Sequence, residues 1–240
     1  MLDALLDEAR RDDNVLGIVV FGSRGKGAYV GETSDWDVFV VVREHRGERP
    51  FVHGAQLETV EVTVEQLRNQ PQCNRYSLAW VEPQLDKTGE VAAALRDATT
   101  VDPATAGEPL DGYVNMLYRS LKNARAGLEL ASLLDAQESI PWFLEFVFTV
   151  HGRLRPYNKW LEWELEHHPL PEPSNSLVRG RIERIARTGD PAEQRLLFRE
   201  TESLARAHGL GAVIDSWAPD VAWLRGADDD TTGAGHPLQA

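Results

Sequence analysis

Val15-Leu16-Gly17-Ile18-Val19-Val20-Phe21 runs straight into Gly22-Ser23-Arg24-Gly25-Lys26-Gly27, and Ser34-Asp35-Trp36-Asp37-Val38-Phe39-Val40-Val41-Val42 follows soon after. The first run is apolar or β-branched almost throughout and reads as a buried strand ending at Gly22-Ser23. The glycines let backbone N–H groups turn towards an anion with no Cβ in the way, Ser23 adds a hydroxyl, and Arg24 and Lys26 are cations suited to phosphate oxygens. In the second run, period-two alternation puts Asp35 and Asp37 on one face of a strand and Trp36 on the other. Like charges side by side are unfavourable, so a cation is expected to compensate them. Carboxylates working beside phosphates favour Mg²⁺ over zinc. The order of residues is neither a P-loop nor a dinucleotide fingerprint.

Gly22-Ser23 followed by Ser34-Asp35-Trp36-Asp37-Val38 resembles the signature of the DNA polymerase β-like nucleotidyltransferase superfamily, especially its small bacterial members that include aminoglycoside and lincosamide nucleotidyltransferases. The resemblance implies an α/β (α+β) catalytic domain with a mixed sheet over residues 1–100, Mg²⁺ as a pair of ions, and ATP or another NTP as co-substrate. It implies nucleotide contacts from Gly22, Ser23, Arg24 and Lys26, and metal ligation by Asp35, Asp37 and a third carboxylate from a later strand. Leu57-Glu58-Thr59-Val60-Glu61-Val62-Thr63-Val64 offers two candidates for that third acid. Alternation places Val60, Val62 and Val64 on a core face and Glu61 on the other, so Glu61 is the expected ligand. Glu58, at the start of the strand on the valine face, is the alternative, reached through a bulge.

Outward from these strands, Leu2, Leu5, Leu6 and Ala9 recur at helical spacing and predict an amphipathic first helix. Residues 36–43, 57–64 and 75–82 read as strands, Asp86-Lys87-Thr88-Gly89 as a turn, and 90–96 as a short helix. The stretch 98–111, with Pro103 and Pro109, reads as a linker. Residues 111–225 then show helical periodicity, with helices expected over 111–134, 139–152, 155–167, 175–188, 191–208 and 213–224. This is an all-α helical domain, the domain order of small-molecule nucleotidyltransferases. Residues 226–240 are rich in Asp, Gly and Thr and read as a disordered tail.

Two residues of the helical half are drawn into the catalytic expectation. Glu145 is the one acid within Ile140-Pro141-Trp142-Phe143-Leu144-Glu145-Phe146-Val147-Phe148. It is either a general base reaching the metals or a helix-face residue paired with Arg119 or Arg125. Lys159, in Arg153-Leu154-Arg155-Pro156-Tyr157-Asn158-Lys159-Trp160-Leu161, lies in a run similar to one in two-domain bacterial nucleotidyltransferase-like proteins, where the lysine would approach phosphates. Arg155 and Tyr157 are its candidate neighbours, and Arg153 is expected to be structural. His151, His167 and His168 are assigned no metal. Trp142, Tyr157, Trp160 and Trp163, with Glu138, Glu145, Glu162 or Glu164, are candidates for contacting an acceptor.

The chain has 240 residues, a net charge of −13 and one cysteine, Cys73. The charge argues against a broad nucleic-acid surface and would attract a cationic acceptor such as an aminosugar. A single cysteine excludes an internal disulfide. The charged first residues and the lack of a long apolar run give the expectation of a cytoplasmic protein with no membrane span. The expected activity is a metal-dependent adenylyltransferase acting on a small-molecule hydroxyl, with antibiotic resistance as the favoured context. A protein-AMPylating or antitoxin-type nucleotidyltransferase and a non-catalytic nucleotide-binding module are the alternatives.

Overall fold

The computed structural model describes residues 2–47 and 56–227. The expected tail falls on residues that, from 228 onwards, lie outside this range. The chain divides into two compact units, with the boundary between Val101 and Asp102.

In the first unit, α1 (Leu2–Arg11) precedes β1 (Val15–Phe21), the one-turn helix α2 (Gly22–Lys26), β2 (Trp36–Val42), β3 (Leu57–Thr63), α3 (Val64–Arg68), α4 (Gln72–Arg75), β4 (Leu85–Asp86) and α5 (Glu90–Thr99). The four strands form one mixed sheet in the order β3-β2-β1-β4, with β2 and β3 parallel and the other pairs antiparallel. Alternation gives the sheet two apolar faces. Ile18, Val20, Val38 and Val40 pack with Ala9, Leu5 and Leu6 of α1. Val19, Phe39, Val41 and Val62 pack with Leu67 of α3 and with Val91, Ala94 and Leu95 of α5. Helices thus cover both faces of the sheet, which explains why β1 and β2 read as continuous apolar runs.

Three elements differ from their sequence expectation. The Gly22–Lys26 segment, where the strand is expected to give way to a glycine-rich turn, is a single helical turn closed by Gly27 in the left-handed region at φ 65°. Residues 75–82 form no strand: α4 ends at Arg75 and a 3₁₀ turn spans Tyr76–Leu78. Burial of Tyr76 and Leu78 mimics the start of a strand's alternation. Pro71 initiates the helical turn, and Arg75 donates to the carbonyls of Ala98 and Thr100 at 2.7 and 2.5 Å. The stretch 98–111 is also more ordered than a linker: α5 reaches Thr99, and Asp102 caps a 3₁₀ turn over Pro103–Ala106.

The second unit is helical: α6 (Gly107–Arg125), α7 (Glu129–Val150), α8 (Leu161–His167), α9 (Ser174–Thr188), α10 (Pro191–Ala207), α11 (Gly211–Asp215) and α12 (Val221–Leu224). Its core joins Leu110, Tyr113, Leu117, Phe143, Phe146, Phe148, Ile185 and Phe198. The break between the first two helices falls at Gly127 (φ 71°) instead of at 135–138, because Gly127 and Leu128 donate to the carbonyls of Ala124 and Asn123 and close α6. Pro141 therefore sits inside α7. Pro156 delays the next helix, leaving a 3₁₀ turn over Asn158–Trp160 before α8. Among the described residues no helix is long and apolar enough to cross a membrane.

Candidate active site

The parallel register of β2 and β3 decides which acids meet. Asp37 is opposite Glu58 and Val40 is opposite Glu61, three residues further along the strand. Both strands carry the same pattern on one face: Asp37, Phe39 and Val41 on β2 match Glu58, Val60 and Val62 on β3. Phe39, Val41 and Val62 are core residues of this face, and the acids stand where that core ends. Asp35 lies one residue before β2 and joins them by alternation. One carboxylate oxygen from each of Asp35, Asp37 and Glu58 lies within 4.8 Å of the others.

Glu61 is placed elsewhere. Its carboxylate meets His45 Nδ1 at 3.0 Å, and His45 Nε2 meets Gln66 Oε1 at 2.8 Å. Gln66 and Thr63 form the capping box that starts α3, so Glu61 joins a small polar network at that end of β3. The expectation of Glu61 beside the aspartates is corrected to Glu58, and no bulge is involved. Glu58 shares the valine face, and the structure places it where that face runs out of the core, beside Asp37. The repeated acid-x-apolar-x-apolar pattern in 37–41 and 58–62 was the available signal.

The electrostatics of the cluster follow from its crowding. Burial, then the neighbouring charges of Asp35 and Glu58, push the Asp37 carboxyl up to about 6. Gly22 makes the close approach possible: at φ 66°, a Cβ there would come within 2.5 Å of Asp37 Oδ2. Ser23 follows Gly22 within the same helical turn, half-buried.

The expected phosphate cations of this turn are engaged by the backbone. Arg24 Nε donates to Ser34 O at 3.0 Å and to Asp35 O at 3.1 Å, Nη2 donates to Ser34 O at 2.6 Å, and the guanidinium lies 4.6 Å from the centre of the Trp36 ring. Lys26 Nζ donates to Tyr76 O at 3.1 Å and to Ala79 O, and stands over the Tyr76 ring. Each ties α2 to a neighbouring loop.

Glu145 and Lys159 belong to the second unit. Glu145 is half-buried on α7, and its charge acts on Arg155, whose guanidinium is lowered chiefly by burial and raised by this carboxylate. Of the arginines expected near Glu145, Arg119 is paired with Asp135 at 3.2 Å, and the Arg125 guanidinium lies over the Trp223 ring. Lys159 is exposed, 5.4 Å from the Trp160 ring centre. Arg153 is structural, paired with the buried Glu164 and bonded to Pro169 O at 3.3 Å. Glu164 and Trp160 are buried, while Trp142 and Tyr157 are exposed.

Residues 2–91 match the nucleotidyltransferase domain family. Asp35, Asp37, Glu58 and the Gly22-Ser23 turn all fall inside the match; Glu145 and Lys159 fall outside it. Among solved structures, the chain is similar to a nucleotidyltransferase-like protein from Exiguobacterium sibiricum 255-15, with 10% identity and a TM-score of 0.44, over 90% of this chain and 79% of that one. No curated protein matches in sequence. The match to the nucleotidyltransferase domain family lies within the first unit, whose three converging carboxylates form an oxygen-donor set that fits a divalent metal.

Proposed function

We propose that this protein is a metal-dependent nucleotidyltransferase that moves a nucleoside monophosphate, AMP from ATP, onto a hydroxyl of a small molecule. The observation that supports it most is the convergence of Asp35, Asp37 and Glu58 beside Gly22-Ser23, inside the residues that match the nucleotidyltransferase domain.

The carboxylates fit divalent cations. Asp37 is pushed up to about 6 by burial and by two acids, and a bound cation reverses that cost. Mg²⁺ suits the all-oxygen donor set and, when bound, supplies charge neutralisation at the triphosphate and the departing pyrophosphate. In this reading Asp35, Asp37 and Glu58 hold the metal, and Ser23 with the backbone N–H groups of α2 orients the outer phosphates. Arg24 and Lys26 hold the turn in shape rather than contacting phosphate.

The acceptor oxygen attacks the α-phosphorus in line, a new P–O bond forms, the bond to the β-phosphate oxygen breaks, and pyrophosphate leaves with the bonding electrons. The acceptor proton passes to a carboxylate, for which Glu145 is the proposed base, and Lys159 is proposed as a further cation for the nucleotide. A small cationic acceptor, an aminosugar antibiotic or related natural product, is favoured by the net charge of −13, which attracts cations and repels polyanions.

The test is mass spectrometry of the purified protein with Mg²⁺, each of the four NTPs, and a panel of aminoglycosides, lincosamides and nucleoside antibiotics. The reading predicts pyrophosphate release from ATP and an adenylylated small acceptor. Nucleotide found only on protein supports the protein-modifying alternative, and nucleotide binding with no pyrophosphate release supports a non-catalytic module. Either result overturns the proposal.

A further inference from the structure

We infer that Arg24 is a positioning residue for the metal site: it fixes the backbone that carries Asp35. This rests on the reading of Asp35, Asp37 and Glu58 as metal ligands. Asp37 and Glu58 lie within hydrogen-bonded strands, opposite one another. Asp35 is exposed and precedes β2, at the end of the loop leading from Gly27. The ladder that fixes the other two acids starts after it.

Arg24 supplies what the ladder does not. Its Nε spans the consecutive carbonyls of Ser34 and Asp35 at 3.0 and 3.1 Å, and Nη2 takes the Ser34 carbonyl again at 2.6 Å. The Trp36 ring lies 4.6 Å away. A planar guanidinium with donors in a fixed fork suits this arrangement, and an ammonium cannot reproduce it. Gly22, two residues earlier on the same turn, comes against the Asp37 carboxylate. One helical turn therefore touches Asp37 with its first residue and holds Asp35 with its third. Lys26 ties the end of that turn to the Tyr76 and Ala79 carbonyls.

The inference reverses the sign expected from charge alone. A guanidinium near a cation site repels the metal, so removing it should tighten metal binding if charge were its only contribution. A positioning role predicts the opposite. The experiment is Mn²⁺ titration of the whole protein without nucleotide, followed by electron paramagnetic resonance, for wild type, Arg24→Gln, Arg24→Lys and Asp37→Asn.

Wild type is expected to bind Mn²⁺ and Asp37→Asn to lose most of that binding. Arg24→Gln and Arg24→Lys should each weaken binding about tenfold, in line with losses for groups that orient metal ligands. Hydrogen exchange across residues 29–35 should rise in both variants. Arg24→Lys keeps the charge, so if Arg24→Gln melts early, Arg24→Lys at its native circular dichroism carries the comparison. Unchanged or tighter Mn²⁺ binding in Arg24→Lys overturns the inference while leaving the metal site intact. Absence of Mn²⁺ binding in wild type overturns the metal reading itself, and the inference with it.

Discussion

Acids in the two units meet different neighbours. In the helical unit, Glu164 is buried against Arg153, Glu193 is shared by Arg181 and Arg184, and Glu202 accepts from Arg225 and Arg206. The Arg225 bond, with that from Arg206, holds the Glu202 carboxyl below the usual range. At the end of the sheet, Asp37 faces Asp35 and Glu58, and its carboxyl is pushed up to about 6. The helical unit answers each of these half-buried or buried acids with a guanidinium, which is how a structural ion pair is built. The sheet gathers three acids, an arrangement that costs stability in the free protein and suits the capture of a cation.

The strongest way to break this contrast is Asp37→Asn. It should lower pyrophosphate release at least about 1,000-fold, as loss of a metal ligand at a phosphoryl-transfer site does. The urea midpoint at pH 7 should stay the same or rise, because a repulsive charge is removed. Glu164→Gln should behave in the reverse manner. Cutting one partner from a buried pair costs about 3 kcal/mol, read in urea unfolding, while Mn²⁺ affinity of the folded protein stays within about twofold of wild type.

How much of this was legible in the sequence depends on the distance between the residues concerned. Asp35 and Asp37 share a face because alternation is local, and α1, α9 and α10 were legible for the same reason. The third acid was not, because it depends on how β3 registers against β2. Alternation within 57–64 could state which residues share a face but not which face Asp37 occupies. Arg24 and Lys26 had the right charge for phosphate, yet carbonyls of residues 34, 35, 76 and 79 engage them. What surrounds Glu145 is also a matter of tertiary packing: its charge acts on Arg155, beyond the end of its helix.

Acidity sharpens the same contrast. The Asp37 pKa is raised in the folded state, so its contribution to the stability of the metal-free protein is fully present below the ordinary carboxylate range near 4 and is lost as pH rises through about 6. The Glu202 pKa is lowered, so its contribution is present above the ordinary range and is lost as pH falls. Urea midpoints at pH 5 and 7 should show the first slope disappearing in Asp37→Asn, and midpoints at about pH 3 and 5 should show the second disappearing in Glu202→Gln. Mn²⁺ affinity should fall about tenfold per pH unit below 6, since a proton must leave Asp37 for the metal to bind.

The smallest effect belongs to the far end of β3. His45 is exposed, and its ring is raised by its hydrogen bonds to Gln66 and Glu61. His45→Ala should leave pyrophosphate release within about twofold of wild type, because exposed pairs away from the reacting groups contribute little. A loss beyond tenfold would place catalysis at that end of the strand.

The most direct measurement is Mn²⁺ titration of wild type, Glu58→Gln and Glu61→Gln, two acids of one strand three residues apart. Convergence of Asp35, Asp37 and Glu58 predicts that Glu58→Gln weakens binding about 30-fold, on the scale of losing one carboxylate ligand, and that Glu61→Gln stays within about twofold. The reverse order, or equal binding by all three proteins, would contradict it.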